Sequence, residues 1–103
     1  MDNVEERLAD VSGKIAIAVT AIGTDAGASP VLAAVVREFG AKAAKASKLA
    51  PRSAQGAHDA VVELEQAGDS AKAAAEADAG AGEATRQAVL DAHLSICLLK
   101  AKL

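Results

Sequence analysis

Residues 4–22 read VEERLADVSGKIAIAVTAI, and the apolar positions in this stretch decide the fold. Val4, Leu8, Val11, Ile15, Ala18 and Ile22 follow one another at intervals of 4-3-4-3-4. That spacing lays one apolar seam along a helix, as in a bundle or coiled coil, and does not suit a strand. Asn3 is placed to cap the helix, with Glu6 three residues on completing a capping box. Gly23 stands where a C-terminal cap belongs.

The same intervals recur at Leu32, Val36, Phe39, Ala43, Ala46 and Ala50. Ser29-Pro30 reads as N-cap and first helical residue, where proline loses no hydrogen bond. Pro51 is expected to end this second helix, because the residue before a proline is pushed out of the α region. A third helix is predicted to start at Arg52 or Ser53, with a seam of Ala54, Ala57, Val61, Leu64, Gly68, Ala71 and Ala75. It is expected to run on through Gly68-Asp69-Ser70 to about Asp78. The tract Ala79–Gly82 forms the last turn. The helices predicted are therefore 4–22, 30–49, 52–78 and 83–103, with no strand. No repeat of 20–50 residues is visible, and the four segments share a pattern but not letters. The expected fold is one all-α domain spanning 1–103, an antiparallel up-down-up-down four-helix bundle, alanine-rich with heptad-like seams.

Composition sets the character of that bundle. The chain has 28 alanines against nine valines, nine leucines, four isoleucines and a single aromatic, Phe39. The core must therefore be thin and the helices close. The lack of aromatics disfavours base stacking on nucleic acid and an aromatic-lined small-molecule pocket. A net charge of −3 argues against nucleic-acid and anionic-membrane partners. No stretch reaches the ~18 apolar residues of a membrane span. The run Ile15–Ile22 follows Asp2, Glu5, Glu6 and Asp10, which is not the basic start of a signal peptide. One cysteine, Cys97, excludes an internal disulfide and fits a reducing, cytoplasmic setting.

The fourth helix differs from the others. Val89, Ala92, Ile96, Leu99 and Leu103 form one apolar stripe, and Leu90, Leu94, Cys97 and Ala101 form a second. Between them lies a line of Arg86, His93 and Lys100, each seven residues apart. The second stripe is expected to be covered by the small-residue seam of the third helix or by another protein chain. It is the candidate interface, for a second copy or a partner helix.

Three chemical readings compete with it. Neither histidine has a glutamate three residues before it, so paired Glu-x-x-His ligation is absent. One cysteine and two distant histidines cannot close a zinc site within the chain, so no metal and no cofactor are expected. His58, following Ala57 and ten residues before Gly68, resembles part of the histidine phosphotransfer pattern over about a dozen residues. That resemblance makes His58 a candidate for phosphorylation. Val61 and Val62 stand where that pattern has lysine and glycine, and Asp59 and Glu63 flank the ring. Arg86 and His93, with six residues between, resemble the Arg–His signature of HEPN ribonucleases, which implies proton transfer by His93 and phosphate stabilisation by Arg86. Arg52 and His58 meet the same loose spacing, and the polar line reads equally as a solvated strip. The lysines of the second helix, Lys42, Lys45 and Lys48, with Arg37 and Arg52, read as a solvated basic edge or a face for an acidic protein. Cys97 reads as packing, with His93 tilted away from it. The expected function is thus a non-enzymatic bundle that self-associates or binds a partner helix through its fourth helix.

Overall fold

The computed structural model describes residues 4–102. Four helices follow in order: α1 (Val4–Gly23), α2 (Pro30–Leu49), α3 (Ala54–Ala77) and α4 (Glu83–Ala101). Each packs on the next, and α4 closes the ring against α1, which makes an antiparallel four-helix bundle. The molecule measures 40 × 21 × 19 Å. A 24-residue helix is about 36 Å long, so the helices run along the long axis.

The predicted seams are the core. Leu8, Val11, Ile15, Ala18 and Ile22 of α1 and Leu32, Val36, Phe39, Ala43 and Ala46 of α2 are all buried. In α3 the seam begins at Ala57, because Ala54 is exposed in the first turn. α3 runs unbroken through Gly68, which is buried against the Phe39 ring and Ile96. A Cβ there would lie 3.1 Å from Phe39 Cζ and 3.3 Å from Ile96 Cγ2. The glycine admits the bundle's only aromatic ring. The expected Asn3 cap, the Val4 side chain and Leu103 fall outside what is described.

Helix ends depart from expectation in three places. Ser29 caps α2 as predicted, accepting the Leu32 N–H at 3.2 Å. Ser53 is the N-cap of α3 and lies outside it, so neither Arg52 nor Ser53 is helical. Ala50 keeps helical dihedrals (φ −56°, ψ −43°) before Pro51, so the proline does not stop α2 by displacing its neighbour. It stops it by lacking an N–H to continue the ladder. Gly23 is the last residue of α1 and has no positive φ, so the left-handed cap is not used. The Thr24 N–H instead bonds Ala21 O, tightening the last turn.

The two interhelical loops that share one end of the bundle carry the same four residues. Asp25-Ala26-Gly27-Ala28 recurs as Asp78-Ala79-Gly80-Ala81, 53 residues later. At the same offset every buried seam position of α1 meets one of α3: Leu8 with Val61, Val11 with Leu64, Ile15 with Gly68, Ala18 with Ala71, Ile22 with Ala75. α2 meets α4 in the same way, with Leu32 matching Thr85, Val36 Val89, Phe39 Ala92, Ala43 Ile96 and Ala46 Leu99. The two hairpins share one burial register at an offset of 53 residues, outside the 20–50-residue range in which no repeat is expected. Outside the turns only the burial pattern is shared, so letters alone conceal it.

The loops dock reciprocally. Asp25 accepts the Gly82 N–H (2.8 Å) and the Thr85 hydroxyl (2.6 Å), while Asp78 accepts the Ser29 N–H (2.7 Å). Each carboxylate thus serves the start of a helix in the other hairpin. Each also bonds the glycine of its own loop, Gly27 and Gly80, at 3.0 Å. A Cβ on either glycine would strike the other's carbonyl oxygen, and neither has a positive φ. Close approach of two backbones is what requires glycine here.

Candidate functional site

α4 presents one face to the core and another outward. Val89, Ala92, Ile96 and Leu99 are buried, as the first stripe predicts. Of the second stripe, Leu90 and Cys97 are half-buried, while Leu94 and Ala101 are exposed. The α3 seam does not cover this stripe, because Gly68 faces Phe39 and Ile96 of the other stripe. Leu98, not singled out from the sequence, joins the outward face. Leu94 and Leu98 are 57% and 55% exposed. Their spacing of four residues could have revealed the pair.

Each member of the line Arg86–His93–Lys100 has a partner on or just after α3, and Lys100 remains exposed. Because α3 and α4 run antiparallel, ascending positions on α4 meet descending positions on α3. Arg86 donates to Ala75 O and Asp78 O, closing the carbonyl end of α3. His93 Nε2 lies 2.7 Å from Asp69 Oδ1. Lys100 Nζ donates to Glu65 Oε1 at 2.8 Å, and this contact holds the ammonium above its ordinary pKa. Arg86 and His93, two turns apart, serve different partners and do not converge on one point.

Cys97 also departs from expectation. His93 is not tilted away from it: Nε2 lies 3.5 Å from Sγ. At positions four apart the two side chains share a helix face, and Asp69 of α3 holds the ring through Nε2. Sγ, Nε2 and the Asp69 carboxylate oxygen all lie within 4.8 Å of one another. Burial pushes the thiol pKa up, and the nearby Glu65 and Asp69 charges push it further. A thiol so placed is not an activated nucleophile. The carboxylate bonds Nε2, while the sulfur lies beside the ring, 3.5 Å from Nε2 and 3.9 Å from Nδ1. The cluster escaped the sequence reading because Asp69 and Glu65 come from a facing helix.

His58 is exposed on α3, 3.7 Å from its neighbour Asp59. Glu63, expected to flank it, is taken by Lys42 (3.0 Å) and Lys45 (3.3 Å) of α2. The acidic partner of the basic edge is therefore in part the protein's own α3. These contacts hold the Glu63 carboxyl below its usual range, Lys42 foremost.

An open, largely apolar groove of about 510 Å³ lies between α1 and α2. Ser12, Ala16, Gly40, Ala44 and Ser47 are among its lining residues. No helix among the described residues is long and apolar enough to cross a membrane. Comparison with protein-family models, curated proteins and solved structures finds no match.

Proposed function

We propose that the protein is a non-enzymatic helical module that pairs with a second copy of itself through the outer face of α4. The exposure of Leu94 and Leu98, on a helix whose opposite face is fully buried, carries this reading. Leu90, Cys97 and Ala101 border the two leucines and extend the apolar surface. A two-fold axis through such a face sets identical leucines against each other, the commonest way for soluble chains to pair. One exposed helix face about 28 Å long is small for an interface, so association is expected on the order of micromolar. The unpaired Cys97 suits a reducing, cytoplasmic setting.

Sedimentation equilibrium across a concentration series tests the reading. The wild-type chain is expected to pass from monomer to dimer, and Leu94→Asp or Leu98→Asp to remain monomeric and folded. A wild-type chain that stays monomeric at several hundred micromolar overturns it.

A further inference from the structure

We propose that Asp69, His93 and Cys97 form a binding site for a thiophilic divalent cation of the zinc class, in the groove between α3 and α4. Their donor atoms, one carboxylate oxygen, one imidazole nitrogen and one thiol sulfur, lie within 4.8 Å of one another. Zinc bonds of about 2.0–2.1 Å to nitrogen or oxygen and about 2.3 Å to sulfur put tetrahedral donors roughly 3.3–3.6 Å apart. Sγ lies beside the ring, 3.5 Å from Nε2 and 3.9 Å from Nδ1, so the Cys97 side chain must turn to bring the sulfur in front of the Nε2 lone pair. The 2.7 Å between Nε2 and Oδ1 is a hydrogen bond and must open by about 0.6 Å. Asp69 is exposed, and its side chain is free to make that adjustment. The same exposure leaves the fourth position to solvent.

The shared register supplies an independent argument. Shifted by 53 residues, Asp69, His93 and Cys97 correspond to Ala16, Gly40 and Ala44. Those three small residues line the open groove of the first hairpin. The backbone template therefore stands without this polar trio, so packing alone does not call for it.

Binding is balanced in protons. Ligation through Nε2 uses the neutral imidazole with its proton on Nδ1, which leaves the Nε2 lone pair for the metal. The Cys97 thiol loses its proton to solvent as the metal–sulfur bond forms. Thiolate and carboxylate then neutralise the dication. Cys97 also borders the proposed self-association face, and the cobalt spectrum reads the site separately from association.

Titration of the reduced protein with Co²⁺, followed by displacement with Zn²⁺, tests the proposal. Expected are one ion per chain, the visible bands of tetrahedral cobalt, and a thiolate-to-cobalt charge-transfer band that Cys97→Ser abolishes. Calorimetry in two buffers should show release of close to one proton per zinc near neutral pH. Loss of an outer-shell partner alone costs a metal site about 10–100-fold, so Asp69→Asn and His93→Gln should each weaken zinc at least tenfold. Circular dichroism confirms folding, which Asp69→Asn at its exposed position should preserve. No charge-transfer band from folded wild type, or zinc affinity unchanged in Asp69→Asn and His93→Gln, overturns the proposal.

Discussion

The hairpins α1–α2 and α3–α4 share one burial template and differ in how they fill it. The first has Ile15 and Phe39 where the second has Gly68 and Ala92; the second has Ile96 and Leu99 where the first has Ala43 and Ala46. A side chain enlarged in one copy is matched by a smaller one at the equivalent place in the other. The shared register keeps the helices in line, and the exchange of sizes keeps the interior filled. The grooves outside the seams are not bound by this rule. At the equivalent positions one has Ala16, Gly40 and Ala44, and the other an acid, an imidazole and a thiol. A shared burial template thus leaves the groove chemistry free to differ.

The largest test of this complementarity is Phe39→Ala, which removes the only aromatic side chain from a fully buried position. Denaturant unfolding should show a loss of about 3–5 kcal/mol. Adding Gly68→Val fills part of the space above the lost ring and should recover some of that loss. A double mutant whose effects merely add would show that Phe39 and Gly68 are not a coupled pair.

The next test concerns the symmetric loops. Gly27→Ala and Gly80→Ala each press a methyl group on backbone that cannot turn aside. Each should cost about 2–3 kcal/mol, at the upper end for overpacking, and the two losses should agree closely. Unequal losses would break the reciprocity that the docking geometry describes.

Acid should weaken the same loops. The Thr85 hydroxyl foremost lowers the pKa of Asp25, and the Ser29 N–H that of Asp78, each below the ordinary 3.8. A folded-state pKa below the unfolded one means a stabilising contribution fully present above about pH 4. It is lost as pH falls through the depressed folded values. Thermal melts of Asp25→Asn and Asp78→Asn should lie below wild type at pH 6 and approach it as the pH drops. A gap that stays constant down to pH 2 would place the effect outside carboxylate titration.

What the sequence disclosed follows from the range of each interaction. Seams such as Leu8–Ile22 depend on neighbours three and four residues apart, and a linear pattern records them. Ser29-Pro30 is local in the same way. The Asp69–His93 pair spans 24 residues, so its outcome is set by which turn of α3 meets which turn of α4. Lys100 with Glu65 and Asp25 with Thr85 are longer still in sequence. Read in isolation, each of those polar groups looks solvated. The shared register escaped because burial, not identity, is what the two hairpins have in common, and Ile15 matching Gly68 hides the correspondence.

The smallest effects separate two glycines inside helices. Gly13 in α1 is exposed, and a Cβ there meets nothing within 4 Å. Gly13→Ala should stabilise by about 0.5–1 kcal/mol, because alanine loses less backbone freedom on folding. Gly68→Ala receives the same helix-propensity gain but drives its methyl group against Phe39 Cζ at 3.1 Å and Ile96 Cγ2 at 3.3 Å. Both neighbours are fully buried, so neither can swing out, and overpacking costs typically about 1–3 kcal/mol. The net change at Gly68 should therefore be a loss of about 1 kcal/mol, opposite in sign to Gly13. If Gly68→Ala proves as stabilising as Gly13→Ala in urea unfolding, Phe39 has room to shift. The close fit between α2 and α3 would then be looser than the distances imply.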